Sequence, residues 1–67
     1  MNLYQILGVR SDVPEEDLKR AYRRLARENH PDRHPDDLEK IARFQAATAA
    51  YEVLGDPAAR AVYDRES

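Results

Sequence analysis

The sequence contains no cysteine. Neither a disulfide nor a thiolate-held metal can therefore brace the fold. Glycine occurs only at Gly8 and Gly55, too few to build a phosphate-cradling loop. Serine is confined to Ser11 and Ser67, which leaves no nucleophile beside a histidine for acyl transfer. Apolar runs last only a few residues, so neither a signal-peptide core nor a membrane span is visible. With 67 residues, the chain makes one small domain. A domain of this size buries only about 60% of its unfolded surface, so helix packing alone must hold it. Charged residues make up 36% of the chain, which suits short helices with solvated outer faces and does not suit a sheet. Missing cysteine is compatible with a reducing compartment, and the expected location is cytoplasmic.

What is present centres on residues 18–32, LKRAYRRLARENHPD. Leu18, Tyr22, Leu25 and Asn29 recur at helical spacing, with Ala21 and Ala26 on the same side. Lys19, Arg20, Arg23, Arg24 and Arg27 take the other side, with no acid between Lys19 and Arg27. These like charges repel along the helix and favour a binding role over a merely solvated face. Pro31 forbids further helix and pushes His30 toward turn geometry. An imidazole and a carboxylate thus end up on a turn at the tip of a positive rod. The net charge is only −2, so the expected partner carries an acidic patch and is not a nucleic acid.

Around this stretch the pattern is helical throughout. Leu3, Ile6 and Leu7 mark a short first helix ending at Gly8, which can take a left-handed cap. Tyr4 is expected to pack against the helices that follow. Asp12 with Glu15 three residues on reads as a capping box, with Pro14 in the first turn of the second helix. Phe44, Ala47, Tyr51 and Leu54 form the stripe of a third helix, begun by Asp36 or Asp37 as N-cap. Gly55-Asp56-Pro57 closes it and opens a fourth helix, with Ala61 and Tyr63 turned inward. The expected helices cover roughly residues 2–8, 14–28, 37–54 and 57–64. The two long ones pack antiparallel.

These features together resemble the J-domain of the DnaJ/Hsp40 co-chaperone family. The resemblance rests on Tyr4 with Leu7-Gly8-Val9, on Ala21-Tyr22 and Leu25-Ala26, and on His30-Pro31-Asp32-Arg33. It continues through Phe44, Ala50-Tyr51-Glu52-Val53-Leu54, Asp56-Pro57, Arg60 and Tyr63-Asp64, so it spans nearly the whole chain. It implies an all-α fold and a domain that is monomeric in isolation. It also implies stimulation of Hsp70 ATP hydrolysis through His30, Pro31 and Asp32, with the Hsp70 ATPase domain and interdomain linker as partner. Lys19, Tyr22, Arg23, Arg24, Arg27, Arg33 and Phe44 would then form the docking surface. The family usually has a larger aliphatic residue in place of Ala47, and often a basic residue in place of Gln45. A glycine-phenylalanine-rich segment often follows such a domain and is absent here. The sequence therefore reads either as a stand-alone module or as a fragment cut just after one.

The tripeptide occurs twice, at His30-Pro31-Asp32 and His34-Pro35-Asp36. The first directly follows the basic helix and is taken as the functional copy. His30 with Asp32 has the form of a base and its orienting acid, but no nucleophile accompanies it, and no enzyme activity is expected. The two histidines and two aspartates are metal-ligand types, yet Pro31 and Pro35 break the helix that would align them. No metal or other cofactor is expected. The rival reading is a nucleic-acid-binding helical module lying on phosphates. It explains the arginines, gives the histidine turn no role, and sits poorly with an acidic pI.

Overall fold

The computed structural model describes residues 2–66. Four helices follow in order: α1 Leu3–Leu7, α2 Glu15–Glu28, α3 Leu38–Leu54 and α4 Pro57–Glu66. No strand occurs among the described residues, and the all-α expectation holds.

The ends of these helices follow from local chemistry. Asn2 Oδ1 accepts from the Gln5 N–H at 2.8 Å, and Gln5 Oε1 accepts from the Asn2 N–H at 2.9 Å. This reciprocal box satisfies two donors of α1 that have no helical partner. Gly8 ends α1 with φ 71°, a left-handed conformation that costs other residues about 1–2 kcal/mol. The capping box expected at Asp12 does not form. Pro14 is the N-cap of α2 and offers no side-chain acceptor, while Asp12 lies in a turn and pairs with Arg10 at 3.3 Å. Of the two candidates before α3, Asp37 is the cap, accepting from the Lys40 N–H at 3.1 Å. Asp56 accepts from the Ala58 N–H at 3.1 Å and opens α4.

Gly55 caps α3 without leaving the right-handed region, at φ −78°. Its lack of a side chain matters for space. A Cβ there would sit 2.8 Å from Cζ of Tyr51, so the Tyr51 ring lies flat against bare backbone. On its other side that ring stacks on Tyr22, with centroids 4.4 Å apart and planes 2° from parallel. Tyr22 Oη also lies 3.3 Å from Thr48 Oγ1. Lys19, early in α2, lies beside Tyr51 and Gly55 at the end of α3, and His30 beyond α2 meets Phe44. The two long helices are therefore antiparallel.

The core is small. Its fully buried large side chains are Leu7, Leu18 and Leu54, one each from α1, α2 and α3. Ala47 and Ala50 are buried among them, and their small size lets α1 and α2 approach the α3 backbone closely. Tyr4 is buried as expected, and Tyr63 packs against the core. Ala61 is exposed, contrary to the inward place expected for it. Leu25 is only half-buried, since it borders an open groove with Ile6 and Ala46.

Two outcomes follow from this packing. Leu18→Ala or Leu54→Ala should each cost about 2–5 kcal/mol, much of the stability of so small a domain. Leu25→Ala should cost clearly less, because its side chain already meets water. Urea melts followed by circular dichroism give the ranking, and a Leu25→Ala cost equal to that of Leu18→Ala would contradict it.

The second outcome concerns Tyr4. Burial, and then its hydrogen bond to Asp64, raise the Tyr4 pKa above the ordinary 10.0. The folded state therefore prefers the neutral phenol. Its contribution is fully present below pH 10 and is lost as pH rises through the folded value. Stability should fall as pH rises above 10.0, with a shallower slope in Tyr4→Phe than in the wild type.

Candidate functional site

The outer arc of α2 presents Lys19, Arg20, Arg23, Arg24 and Arg27, all exposed. Glu15, Glu16 and Asp17 fill its first turn and Arg27 its last, an order that complements the helix dipole. Arg20 pairs with Asp17 at 3.2 Å, and Arg24 reaches Glu28 only at 3.9 Å. Among the described residues, Lys19, Arg23 and Arg27 form no ion pair. Exposed pairs of this kind contribute about 0–1 kcal/mol, so the face does little for the fold and keeps an unbalanced positive charge.

At the end of α2 the chain is tied down by several independent bonds. Asn29 is buried, and both its backbone N–H and its side-chain Nδ2 donate to Leu25 O, at 3.0 and 2.9 Å. Arg33 returns across the turn and donates to Arg27 O at 3.2 Å, covering a carbonyl that α2 leaves without a partner. His30 O accepts from the N–H groups of Arg33 and His34, at 3.0 and 3.1 Å. Pro31, half-buried, fixes φ between them.

The His30 ring is committed to the turn as well. Its Nδ1 accepts from the Asp32 N–H at 3.1 Å, and its edge meets Phe44 at a centroid distance of 5.1 Å and 68°. The same Nδ1 lies 3.8 Å from Asp32 Oδ2. A nitrogen whose lone pair holds an N–H has no proton to share with a carboxylate, so the amide bond is the real contact. His30 thus braces the turn through Nδ1, and that nitrogen is not free to act as a general base. The Asp32 side chain is 92% exposed and points its carboxylate to solvent.

The second tripeptide lies in the connection to α3. His34 O accepts from the Asp37 N–H at 3.2 Å, which leads into the α3 cap. His34 is half-buried, while Pro35 and Asp36 are exposed. Among the described residues, no bond joins the His34 ring to the Asp36 backbone, so the second copy lacks the brace of the first. Nor does any group of three or more His, Asp or Glu side chains converge as metal ligands among those residues.

The fold therefore gathers His30, Pro31, Asp32, Arg33 and Phe44 at one end of the helical pair. Tyr22 and the arginines extend along the rod, and Lys19 lies at its far end beside Tyr51 and Gly55. Tyr22 is held by Tyr51, which takes one face of its ring, and by Thr48 at its hydroxyl. The buried amide of Asn29 and the returning Arg33 were not assigned as braces from sequence. Asn directly before the turn was the available signal, since a polar residue on an apolar stripe needs a buried partner.

The site is thus a basic helix closed by a braced turn with one outward carboxylate, backed by an antiparallel partner helix. Residues 2–64 match the DnaJ domain family. The chaperone protein DnaJ of Bordetella bronchiseptica is 55% identical over 62 residues, which are 92% of this chain and 17% of that protein. DnaJ of Nitratidesulfovibrio vulgaris is also 55% identical over 62 residues, 92% of this chain and 16% of the relative. DnaJ of Thermotoga maritima is 54% identical over 63 residues, 92% of this chain and 17% of the relative. The chain belongs to the DnaJ domain family, a family of co-chaperones that are not themselves enzymes. It spans 16–17% of the length of these relatives. No described helix is long and apolar enough to cross a membrane.

The bracing of His30 has a direct signature. In nitrogen-15 spectra recorded where the ring is neutral, His30 should carry its proton on Nε2, with Nδ1 bare. Asp32→Pro, which deletes the donated N–H, should remove that preference. A His30 ring protonated at Nδ1 in the wild type would refute the brace.

Proposed function

We propose that this domain binds an Hsp70 chaperone in its ATP state and raises its rate of ATP hydrolysis. The observation that carries the reading is the exposed Asp32 carboxylate on a turn fixed by His30, Pro31 and Arg33, directly after the basic helix. The cationic face of Lys19, Arg23, Arg24 and Arg27 steers the domain onto acidic surface of the partner's ATPase domain. Tyr22, Arg33 and Phe44 extend the contact. Asp32 then gives a charge-assisted bond to a cationic side chain near the partner's interdomain linker. A bond made only in the hydrolysis-competent conformation shifts the partner's population without direct catalysis. The domain acts as a monomer, in the cytoplasm, with no cofactor and no nucleic acid of its own.

Single-turnover ATP hydrolysis by a bacterial Hsp70 tests this. Asp32→Asn keeps the shape and removes the charge. A bond to a charged group contributes about 1.5–3 kcal/mol, so stimulation should fall roughly ten- to hundredfold. Asp36→Asn should retain stimulation, since Asp36 neither caps α3 nor is braced by a histidine. Loss with Asp36→Asn and not with Asp32→Asn would assign the activity to the second copy.

A further inference from the structure

The first turn of α2 has no side-chain cap, because Pro14 stands at the N-cap. The loop before it is nevertheless held, from the far end of the chain. Nη2 of Arg60 in α4 donates to Val13 O at 2.7 Å and to Ser11 O at 3.3 Å. Nε of the same guanidinium donates to Tyr4 Oη at 3.0 Å, and that hydroxyl donates to Asp64 Oδ1 at 2.5 Å. Arg60 also lies over the Tyr4 ring, 5.5 Å from its centroid. One planar fork therefore joins α1, the α1–α2 loop and α4. Val13 directly precedes Pro14, whose carbonyl accepts the first bonds of α2, from the N–H groups of Asp17 and Leu18, both at 3.0 Å.

We infer that Arg60 is a positioning residue for the docking helix: by gripping Val13 O and Ser11 O it fixes where α2 begins, and with it the basic face. Without the fork those carbonyls turn to water and the first turn frays. Lys19 and Arg20, just beyond that turn, lose their fixed placement. The opposite end of α2 keeps its own bonds through Asn29, His30 and Arg33. Docking should therefore weaken while the rate reached at saturation persists. A lysine cannot replace the fork, because a single ammonium on a flexible stem does not span both carbonyls and the phenol in fixed geometry. The consequence for docking rests on the proposed Hsp70 function; the anchoring of α2 does not.

Amide hydrogen exchange on the purified domain tests the anchoring. Arg60→Gln should speed exchange at Asp17 and Leu18 by about tenfold relative to Ala47 and Ala50 of α3. Arg60→Lys should give an intermediate change. Tyr4→Phe, which leaves the carbonyl bonds intact, should change it by less than about threefold. Should Arg60→Gln fail to fold, Arg60→Lys carries the same comparison. Equal acceleration in α2 and α3, or none at Asp17 and Leu18, overturns the assignment. A single-turnover titration with Hsp70 gives the second readout. The half-saturating concentration of Arg60→Gln should rise about tenfold, with the maximal rate within about twofold of wild type. A lower maximal rate at unchanged half-saturation overturns the positioning role. If the wild-type domain stimulates no Hsp70, the proposed function fails, and exchange at Asp17 and Leu18 still decides whether Arg60 anchors α2.

Discussion

Everything in this domain depends on how closely α1 and α2 approach α3. Among the described residues, the fully buried large side chains of the core are Leu7, Leu18 and Leu54. Ala47 and Ala50 make that approach possible, and the aromatic pair Tyr22 and Tyr51 holds it on one flank. Bare backbone at Gly55 completes the arrangement by letting the Tyr51 ring lie flat. The paired helices then act as a rigid bar, with the polar turn at one end and the basic arc along one side. So little apolar burial leaves polar contacts to secure the periphery, which is why the tyrosines carry hydrogen bonds as well as bulk.

Much of this was legible in the sequence. Helical spacing located all four helices to within a residue or two, because an alternative pairing would expose the apolar stripes. Gly8 followed from cap chemistry, which left the α3 cap open between Asp36 and Asp37. The failures came where local rules had competitors. Asp12 has the spacing of a capping residue, but Arg10 pairs with it and Pro14 takes the cap position instead. Leu25 matched the stripe, yet α1 is too short to cover it fully. Ala61 was placed inward by its type alone, whereas α4 meets the core chiefly through Tyr63.

The turn illustrates a different limit. Sequence located it and identified its residue types, and proline made a bend inevitable. It did not reveal that the imidazole faces its own backbone, since that depends on a single N–H orientation. Nor did it separate the two tripeptides by structure. The first is backed by Phe44 and Asn29, residues of α3 and of the α2 stripe that the second copy, four positions on, does not meet. Identical residues thus meet different surroundings in the two copies.

The closing bonds of the fold have a consequence for its synthesis. The Leu3 N–H donates to Tyr63 Oη, and Tyr4 donates to Asp64, each across 60 positions. Synthesis runs from the N-terminus, so for an interval α2 and α3 exist while Tyr63 and Asp64 have yet to be added. During that interval Tyr4 lacks the carboxylate and guanidinium that its hydroxyl meets in the finished domain. Long-range closure of this kind costs more chain entropy than the local contacts within the helices. The bonds that tie α1 to α4 are therefore the last whose partners become available, while α1 meets α2 and α3 through its own apolar face.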